Sequence, residues 1–284
     1  MTGGSGRVGR LLARAWAVAP PPLDPLWQSR SGASHAVRWT PLEGPQALIA
    51  AVGDRPPAAM LVLSGVTPGP EASFDLNAAL ARACLDAARA AGIPRVLYAS
   101  SVAVYGPPRA APFAETDPPR PASAYGRAKL AAEAVCNAGR AGGLEVCALR
   151  IGNVFGADAL MRNAACLTPG GALRIDRFPD GQGPLRSYIG PATLARVIGT
   201  LAADRAALPP VLNLAVPGAV AMTDLATAAG VPWCWTPAPP SAVQRVLLDC
   251  GALARRVEIS PAEGTAPGIA AQLASLPKAA PHLS

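Results

Sequence analysis

The sequence predicts an α/β fold in which a doubly wound, parallel sheet carries helices on both faces. Strand-like and helix-like segments alternate through the first two thirds of the 284-residue chain, and repeated strand–helix–strand units build such sheets. The composition, with 51% hydrophobic and 15% charged residues, is typical of a globular chain long enough for one large domain with a small appended lobe.

Individual elements follow from short apolar runs and from residues that stop helices. A helix is predicted over 76–91, which is Ala-rich and ends at Gly92, and another over 122–138, which begins near Ser123 and closes at Gly139. The other predicted helices are 11–19 and 191–203, and the predicted strands are 26–30, 60–63, 95–99, 144–149 and 211–216.

The net charge of +7 is spread along the chain. A diffuse excess of arginine suits an anionic small ligand such as a nucleotide, although a merely basic surface explains it equally well. The sequence contains neither a basic helix nor an aromatic–basic cluster, so we expect no nucleic-acid partner.

The six cysteines form no CxxC pair, and the two histidines, His35 and His282, lie far from them in sequence. We therefore expect no metal site, and scattered cysteines indicate a reducing, cytoplasmic compartment. No apolar run approaches the ~18 residues that a membrane span needs. The stretch 11–19 is interpreted as a helix and not as an export signal, because Arg14 interrupts it and a glycine-rich turn precedes it.

Glycines recur at every third position from Gly3 to Gly9 and lead into the first helix. This spacing is typical of a turn whose backbone approaches a pyrophosphate at a helix N-terminus, as in a Rossmann-type dinucleotide site. The cofactor contacts expected here are Gly3, Gly6, Arg7, Val8 and Gly9. Such a turn follows a strand, but only Met1 precedes Thr2, so we expect the first strand to be truncated or reduced to a stub.

The dinucleotide-binding domain is expected to comprise residues 1–156 and 187–216. Beyond Gly156 the regular pattern loosens into Pro- and Gly-rich pieces, and we assign 157–186 and 217–284 to a small substrate-binding lobe. No internal repeat divides the chain further.

The residue that ends the second strand of such a fold selects between the two nicotinamide cofactors. Here the strand ends in Ser29 and Arg30, which suit the 2′-phosphate of NADP better than an acidic residue would. We therefore expect NADP, with NAD as the alternative because Asp24 lies in the same segment. Asp24 precedes Pro25 and starts the strand, which favours NADP.

Tyr125 and Lys129 lie four residues apart in a predicted helix and so share one of its faces. A phenol with a pKa of about 10 is a poor base at neutral pH, but a neighbouring ammonium stabilises the phenolate. Tyr125 can then exchange a proton with a substrate oxygen while a hydride moves to or from a nicotinamide. Ser101 follows a buried strand, where ligands of parallel sheets bind, and can orient the reacting oxygen; its alternative role is a helix cap.

Six stretches keep a characteristic order along the chain. They are the turn Thr2–Gly9 (TGxxGxxG), Asn77, Ala99–Gly106 (a serine followed by VYG), Tyr125–Lys129 (YxxxK), Arg150–Gly156 (RxxNVxG) and Gly181–Ile189 (GxGxxRxxI). Together they resemble the extended short-chain dehydrogenase/reductases, in the NAD-dependent epimerase/dehydratase group, over about residues 1–216.

The resemblance implies that Ser101, Tyr125 and Lys129 form a catalytic trio, of which the tyrosine and lysine also contact the cofactor. The other implied contacts are Ser64 and Gly65 with the cofactor, and Ser101, Asn153 and Arg186 with the substrate. In relatives acting on nucleotide-linked sugars, the residue matching Arg186 grips the diphosphate, which suits a guanidinium fork. Sugar dehydratases carry an Asp–Glu pair where this chain has Val102 and Ala103, so dehydration by that route lacks its acid and base.

These observations predict an NAD(P)-dependent epimerase or oxidoreductase acting on a hydroxyl or carbonyl of a nucleotide-linked sugar or similar small molecule. The alternatives are an NADPH-dependent reductase of a non-sugar carbonyl and a non-catalytic dinucleotide sensor or scaffold. The C-terminal lobe carries no matching motif, so the substrate stays open. Family members pair through the helix that carries YxxxK, so we expect a homodimer. Its small apolar surface would comprise Ala131, Ala132, Val135 and Ala138, whose alternative role is packing on the sheet.

Overall fold

A parallel sheet forms the centre of the fold in the computed structural model, which describes residues 1–30, 36–69 and 72–278. The strands are β1 (Trp27–Ser29), β2 (Ala36–Arg38), β3 (Met60–Val62), β4 (Arg95–Ser101), β5 (Glu145–Ile151), β6 (Asn153–Val154), β7 (Leu173–Arg177), β8 (Leu185–Arg186), β9 (Tyr188–Ile189), β10 (Val211–Leu214), β11 (Val220–Ala221), β12 (Trp233–Pro237) and β13 (Arg245–Val246). The helices are α1 (Arg7–Val18), α2 (Gln46–Val52), α3 (Leu76–Ala90), α4 (Ala124–Ala141), α5 (Ala159–Ala164), α6 (Pro191–Ala203), α7 (Met222–Ala228), α8 (Gly251–Ala254) and α9 (Ala266–Ala274), with 3₁₀ turns at Pro41–Glu43, Val102–Val104 and Pro261–Gly264. The central strands run in the order β10-β5-β4-β3 with parallel pairing throughout, so the predicted Rossmann-type α/β fold is confirmed.

Met1 and Thr2 connect this sheet to the parallel pair of β1 and β2. The Thr2 N–H donates to the Leu61 carbonyl at 2.9 Å, and its carbonyl accepts from the Leu63 N–H at 3.2 Å. On the other side, the Met1 carbonyl accepts from the Gln28 N–H at 2.9 Å. A two-residue stub therefore stands where the glycine turn predicts a reduced first strand, and it joins β1 and β2 to the rest of the sheet.

Helices cover both faces of the sheet. Side chains alternate between these faces along each strand, so one strand packs against both helix layers. Leu97 of β4 packs into a core with α1 and α6, whereas its neighbours Val96 and Tyr98 face a second core with α3 and α4. All three side chains are at most 1% exposed. Burial of a leucine or valine of this kind contributes about 1.5–3 kcal/mol, so β4 anchors both helix layers.

The C-terminal part of the chain packs on the first of these cores. Leu253 of α8 and Ile269 of α9 belong to the cluster that holds Leu12 of α1, and all three are fully buried. Two small sheets complete this part, one of β7 and β12 and one of β8, β11 and β13. The boundaries 157–186 and 217–284 of a substrate lobe stay a prediction.

The helix that carries YxxxK runs further than predicted. It begins as expected, since Ser123 Oγ accepts from the Gly126 N–H at 3.0 Å, but it continues through Gly139 to Ala141. A Cβ at Gly139 would lie 2.6 Å from the Leu85 side chain of α3. The prediction that Gly139 closes the helix is therefore wrong, because this glycine allows α3 and α4 to approach each other.

Strand limits also differ from the predicted ones. β4 includes Ser100 and Ser101, which pair with Arg150 and Ile151 of β5, whereas β10 ends at Leu214, two residues before the predicted limit. Ladder hydrogen bonds decide where a strand ends, and apolar character in the sequence does not report them. The two serines are therefore part of the sheet and not of the loop that follows it.

Candidate functional site

The glycine turn between the stub and α1 depends on close approaches of the backbone. Gly3 adopts a φ of +72°, and a Cβ there would lie 2.6 Å from the main-chain nitrogen of Ser64. The Gly6 N–H donates to the Gly3 carbonyl at 3.0 Å, which closes the turn. Gln28 Oε1 accepts from the Gly3 N–H at 3.2 Å, so β1 supports the turn from the side.

Two cavities meet at this turn. The Arg30 cavity, of about 430 Å³, is lined by residues that include Ser29, Arg30 and Ser64. The Tyr125 cleft, of about 450 Å³, is lined by residues that include Arg7, Val8, Gly9, Ser101, Tyr125, Lys129 and Asn153. Gly3, Gly6 and Gly65 line both. An extended dinucleotide fits this pair of cavities, because its pyrophosphate would cross the glycine turn at the N-terminus of α1.

Tyr125 lies in the first turn of α4, and its ring centre is 5.9 Å from that of Phe74. Burial raises the pKa of its phenol, whereas hydrogen bonding with Ser101 and the positive charge of Arg7 act to lower it. Ser101 Oγ accepts from the Ala103 N–H at 3.2 Å, so this serine caps the turn after β4 while it lines the same cleft as the phenol. The net shift of the phenol pKa is upward, so Tyr125 is protonated at neutral pH. A further positive charge bound nearby would favour the phenolate.

Lys129 supplies a buried positive charge close to that tyrosine. Its Nζ donates to the Ala99 carbonyl at 2.7 Å and to the Tyr98 hydroxyl at 3.4 Å, and it lies 6.0 Å from the centre of the Tyr125 ring. Burial lowers the pKa of the ammonium to about 8, so the side chain is a cation at neutral pH.

Asn77 of α3 holds the loop after β3 against this lysine. Its Oδ1 accepts from the Val66 N–H at 3.0 Å, and its Nδ2 donates to the Val66 carbonyl at 3.2 Å. A Cβ at Gly65 would lie 2.7 Å from Asn77 Oδ1 and 3.3 Å from Lys129 Nζ. Glycine at 65 therefore lets the loop pass between the two side chains.

The structure brings the predicted catalytic and cofactor residues to the two cavities, and Asn153 also lines the Tyr125 cleft. Arg186 is outside the described linings of both cavities. Its guanidinium donates to the carbonyls of Leu185, Gln244 and Val243 at 2.8, 2.7 and 2.6 Å. A diphosphate would compete with three carbonyl acceptors for this side chain, so the substrate contact of Arg186 stays a prediction.

The Tyr125 cleft also contains a carboxylate that sequence reasoning missed. Asp158 Oδ2 accepts from the Tyr188 hydroxyl at 3.0 Å, and Oδ1 accepts from the Met161 N–H at 3.3 Å. Burial raises the pKa of this carboxyl. An aspartate before a short helix can be recognised as an N-cap, but its place in the cleft depends on the packing of α5 against β9.

The four residues expected to form a dimer surface differ in exposure. Ala131 and Ala138 are exposed and Val135 is half-buried, whereas Ala132 is fully buried among side chains of this chain's own core. Ala132 therefore packs inside the monomer, and the homodimer stays a prediction.

Each of the six cysteines is free. Within the described ranges, no group of three or more His, Cys, Asp or Glu side chains is placed to hold a metal ion; His35 and His282 lie outside them. Among the helices of the described residues, none combines the length and apolar character needed to cross a membrane.

A family model, the NAD dependent epimerase/dehydratase family, matches residues 1–175. A UDP-glucose 4-epimerase of Lacticaseibacillus casei is 34% identical over 128 residues, which are 45% of this chain and 34% of the relative. A UDP-glucose 4-epimerase of Streptomyces lividans is 36% identical over 94 residues, which are 33% of this chain and 29% of the relative. The match thus spans about a third of the length of these curated relatives.

Solved structures are similar over nearly the whole chain. UDP-glucose 4-epimerase from Brucella ovis in complex with NAD has a TM-score of 0.75 and 22% identity, over 99% of this chain and 97% of that one. RMD from Pseudomonas aeruginosa complexed with NADPH has a TM-score of 0.71 and 23% identity, over 95% of each chain. These likenesses show the fold. Because the family model also covers more than half of the sequence, the chain belongs to the NAD dependent epimerase/dehydratase family.

Proposed function

We propose that this chain is an NAD(P)-dependent enzyme that oxidises and reduces one carbon of a nucleotide-linked sugar, with epimerisation as its net reaction. The observation that carries the proposal is the Tyr125 cleft, in which Ser101, Tyr125 and Lys129 lie together beside the glycine turn. A hydroxyl bound there would lie within reach of a proton acceptor and of a cofactor held over the turn.

In this proposal a bound nicotinamide supplies the hydride acceptor. Tyr125 would take the proton of the sugar hydroxyl as that carbon is oxidised to a ketone, and it would return the proton when the carbon is reduced from the opposite face. The carbon would then be inverted with no net oxidant consumed. Lys129 favours the phenolate by its charge, and Ser101 hydrogen bonds with the reacting oxygen and orients it.

The substrate class rests on the relatives and on the cleft. The two curated relatives are UDP-glucose 4-epimerases, so UDP-glucose and UDP-galactose are the first substrates to test. Asn153 and the carboxyl of Asp158 offer hydrogen-bonding groups for sugar hydroxyls in the Tyr125 cleft. Arg186 remains the candidate partner of the diphosphate, provided that its guanidinium leaves the carbonyls it now contacts.

For the cofactor we favour NADP over NAD, on the charges near the Arg30 cavity. An adjoining cavity of about 380 Å³ is lined by Arg30, Arg38 and Glu43, among others, and Arg38 is the register partner of Ser29 across β1 and β2. Two guanidinium groups at the end of β1 suit a 2′-phosphate, although Glu43 opposes it. The fold itself does not decide, because similar structures hold NAD in one case and NADPH in another.

The second candidate is an NADPH-dependent reductase of a non-sugar carbonyl. Arg30 and Arg38 favour it, since a reductase consumes NADPH at each turnover whereas an epimerase regenerates its cofactor. The third, a non-catalytic sensor or scaffold, would not need Tyr125 and Lys129 together in the cleft.

The test is conversion of UDP-glucose and UDP-galactose into each other by the full chain, with NAD or NADP present, followed by NMR. We expect turnover in the wild type, and in Tyr125→Phe we expect none, with cofactor binding retained. Conversion by Tyr125→Phe at the wild-type rate contradicts the tyrosine mechanism. Oxidation of NADPH by simple carbonyls without sugar conversion supports the reductase, and cofactor binding without any turnover supports the sensor.

Two further parts of the proposal concern the cellular compartment and the oligomeric state of the enzyme. We place it in the cytoplasm, on the scattered free cysteines, and we propose a homodimer through the exposed Ala131 and Ala138 on α4. Light scattering tests the second point, since Ala131→Glu introduces a charge at that surface and should yield a monomer.

A further inference from the structure

A buried ion pair joins α4 to the centre of the sheet one helical turn beyond Lys129. Glu133 and Arg150 are each 4% exposed. Arg150 Nη2 lies 2.8 Å from Glu133 Oε2, and its Nε lies 3.1 Å from Oε1. The guanidinium also stacks over Tyr105, with Cζ 4.6 Å from the ring centre. Removing one partner of a buried pair leaves the other charge uncompensated, so both charges depend on this geometry.

The same carboxylate holds the end of β4. Ser100 is 5% exposed, and its hydroxyl donates to Glu133 Oε1 at 2.5 Å. Ser100 is also the register partner of Arg150 across β4 and β5. The next residue of β4 is Ser101, which lines the Tyr125 cleft together with Tyr125.

Helix α4 therefore contacts the end of β4 through residues that lie one helical turn apart. Tyr125, Lys129 and Glu133 are spaced by four and share one helix face. Lys129 bonds to the Ala99 carbonyl, Glu133 accepts from Ser100, and Tyr125 lines the same cleft as Ser101. The hydrogen-bond ladder with β5 sets the register of β4, and the side chains of Lys129 and Glu133 set the distance between β4 and α4.

We propose that the Glu133–Arg150 pair is a positioning device, which holds Ser100 and thereby keeps Ser101 within reach of Tyr125. The inference rests on the proposed function, because it concerns the placement of that function's proton-transfer residue. Neither Glu133 nor Arg150 lines the Tyr125 cleft as described, so both act through Ser100.

Two variants separate positioning from a merely structural role. Ser100→Ala removes the donor and leaves the ion pair in place. The double variant Glu133→Met, Arg150→Met replaces the pair by apolar side chains of similar length, an exchange that is often neutral for stability. We expect each to lower kcat on the order of tenfold to a hundredfold, the size expected when a reacting group is displaced by about 1 Å. Ser100→Thr, which keeps the hydroxyl, should restore activity.

A second readout needs no substrate. Burial raises the pKa of Tyr125, and hydrogen bonding with Ser101 acts against that rise, so displacement of Ser101 should move the titration of Tyr125 to still higher pH. The measurement is ultraviolet difference spectroscopy of tyrosinate, with the Tyr125→Phe form of each protein subtracted.

The matched control lies at the other end of the same two strands. Arg95 and Glu145 are register partners across β4 and β5, with Arg95 Nε 3.0 Å from Glu145 Oε2, and about 20 Å of strand separates them from Ser101. Replacing both by methionine should lower the melting temperature and leave the Tyr125 titration and kcat unchanged.

The outcomes are distinguishable. An unshifted Tyr125 titration and unchanged kcat in Ser100→Ala and in the double variant overturn the positioning role. If the double variant fails to fold, Ser100→Ala decides alone. A shifted titration in a protein whose wild type converts no nucleotide sugar overturns the proposed function and leaves the positioning role standing.

Discussion

Lys129 donates a hydrogen bond to the Ala99 carbonyl, with Nζ and O 2.7 Å apart, so the end of β4 holds this lysine 6.0 Å from the centre of the Tyr125 ring. The ammonium is thereby fixed in a place where only 5% of the residue is exposed. Burial of a cation costs free energy, and this cost lowers the pKa of Lys129 from 10.5 to about 8.

The first prediction concerns the pH dependence of stability. Between pH 8 and 10.5 the unfolded chain holds the Lys129 proton and the folded chain releases it, so the free energy of unfolding contributed by this residue rises with pH. The stability of wild type relative to Lys129→Met should increase over that window by at most about 3 kcal/mol and be constant below it. Urea denaturation at a series of pH values measures this.

The chain's other lysine offers the control. Lys278 is exposed, so Lys278→Met controls for the loss of one lysine charge without removing a buried contact. A flat difference curve for Lys129→Met contradicts the buried charge.

The second prediction concerns the glycine turn. Gly3→Ala places a Cβ 2.6 Å from the Ser64 nitrogen at a φ of +72°, and backbone atoms cannot yield there. We expect loss of cofactor binding and a fall in stability beyond the cost of the dihedral angle alone, measured by cofactor fluorescence titration and thermal denaturation.

Gly143 allows the cost of a positive φ to be measured without a steric clash. It has a φ of +85° with no atom within 4 Å of an added Cβ, so Gly143→Ala should cost about 1–2 kcal/mol and leave cofactor binding unchanged. Equal effects of the two substitutions would show that the close approach to Ser64 is unimportant.

The third prediction concerns cofactor choice. Removing both guanidinium groups in Arg30→Ala, Arg38→Ala should weaken NADPH binding by about tenfold or more, since a hydrogen bond to a charged group contributes about 1.5–3 kcal/mol. NADH binding should stay the same. Dissociation constants from fluorescence titration measure both.

Arg89→Ala is the control, because Arg89 is an exposed arginine on α3 paired with Asp86. Wild-type binding of NADH that equals or exceeds that of NADPH would reject NADP as the preferred cofactor.

The fourth prediction concerns acid stability. Burial acts to raise the pKa of Glu263, but hydrogen bonds from Thr193 Oγ1, the Ser260 N–H and Arg196 Nη2 outweigh it and lower the pKa to about 2. This carboxylate therefore stabilises the fold above pH 4.5, and the contribution is lost as the pH falls from 4.5 towards 2.

Glu263→Gln should accordingly lose less stability than wild type over that acid range. Glu258→Gln, at an exposed position of the same segment, controls for the loss of one carboxylate without removing the contacts of Glu263. Parallel acid denaturation curves for wild type and Glu263→Gln would contradict the role of this carboxylate in joining α6 to the 3₁₀ turn Pro261–Gly264.

The parts of the site that depend on local spacing could be predicted from the sequence. Tyr125 and Lys129 share a helix face by their separation of four, and Ser101 comes at the end of a buried apolar run. The glycine turn can likewise be recognised from the spacing of its glycines. Each of these patterns is written in a few consecutive residues, so one sequence is enough to find it.

The parts that depend on packing between distant segments could not be predicted. Glu133 and Arg150 meet only because α4 lies over β5. Arg186 lies outside the two cavities because its guanidinium donates to carbonyls 57 and 58 residues later in the chain. Gly139 has the sequence character of a helix stop, yet its neighbour in space is Leu85. In these cases the deciding partner is far away in the chain and leaves no local signal.

Met1 and Thr2 link two parts of the sheet, with β1 on one side and β3 on the other. Ser29 and Arg30 carry one wall of the Arg30 cavity, and Ser64 lies on the other. A dinucleotide bound there would touch both walls and stabilise their closure by mass action. Amide hydrogen exchange in β1 and β2 should therefore be faster than in β4 and β5, and it should slow when cofactor is added. In this protein the bound ligand would hold the two walls of its own binding site together.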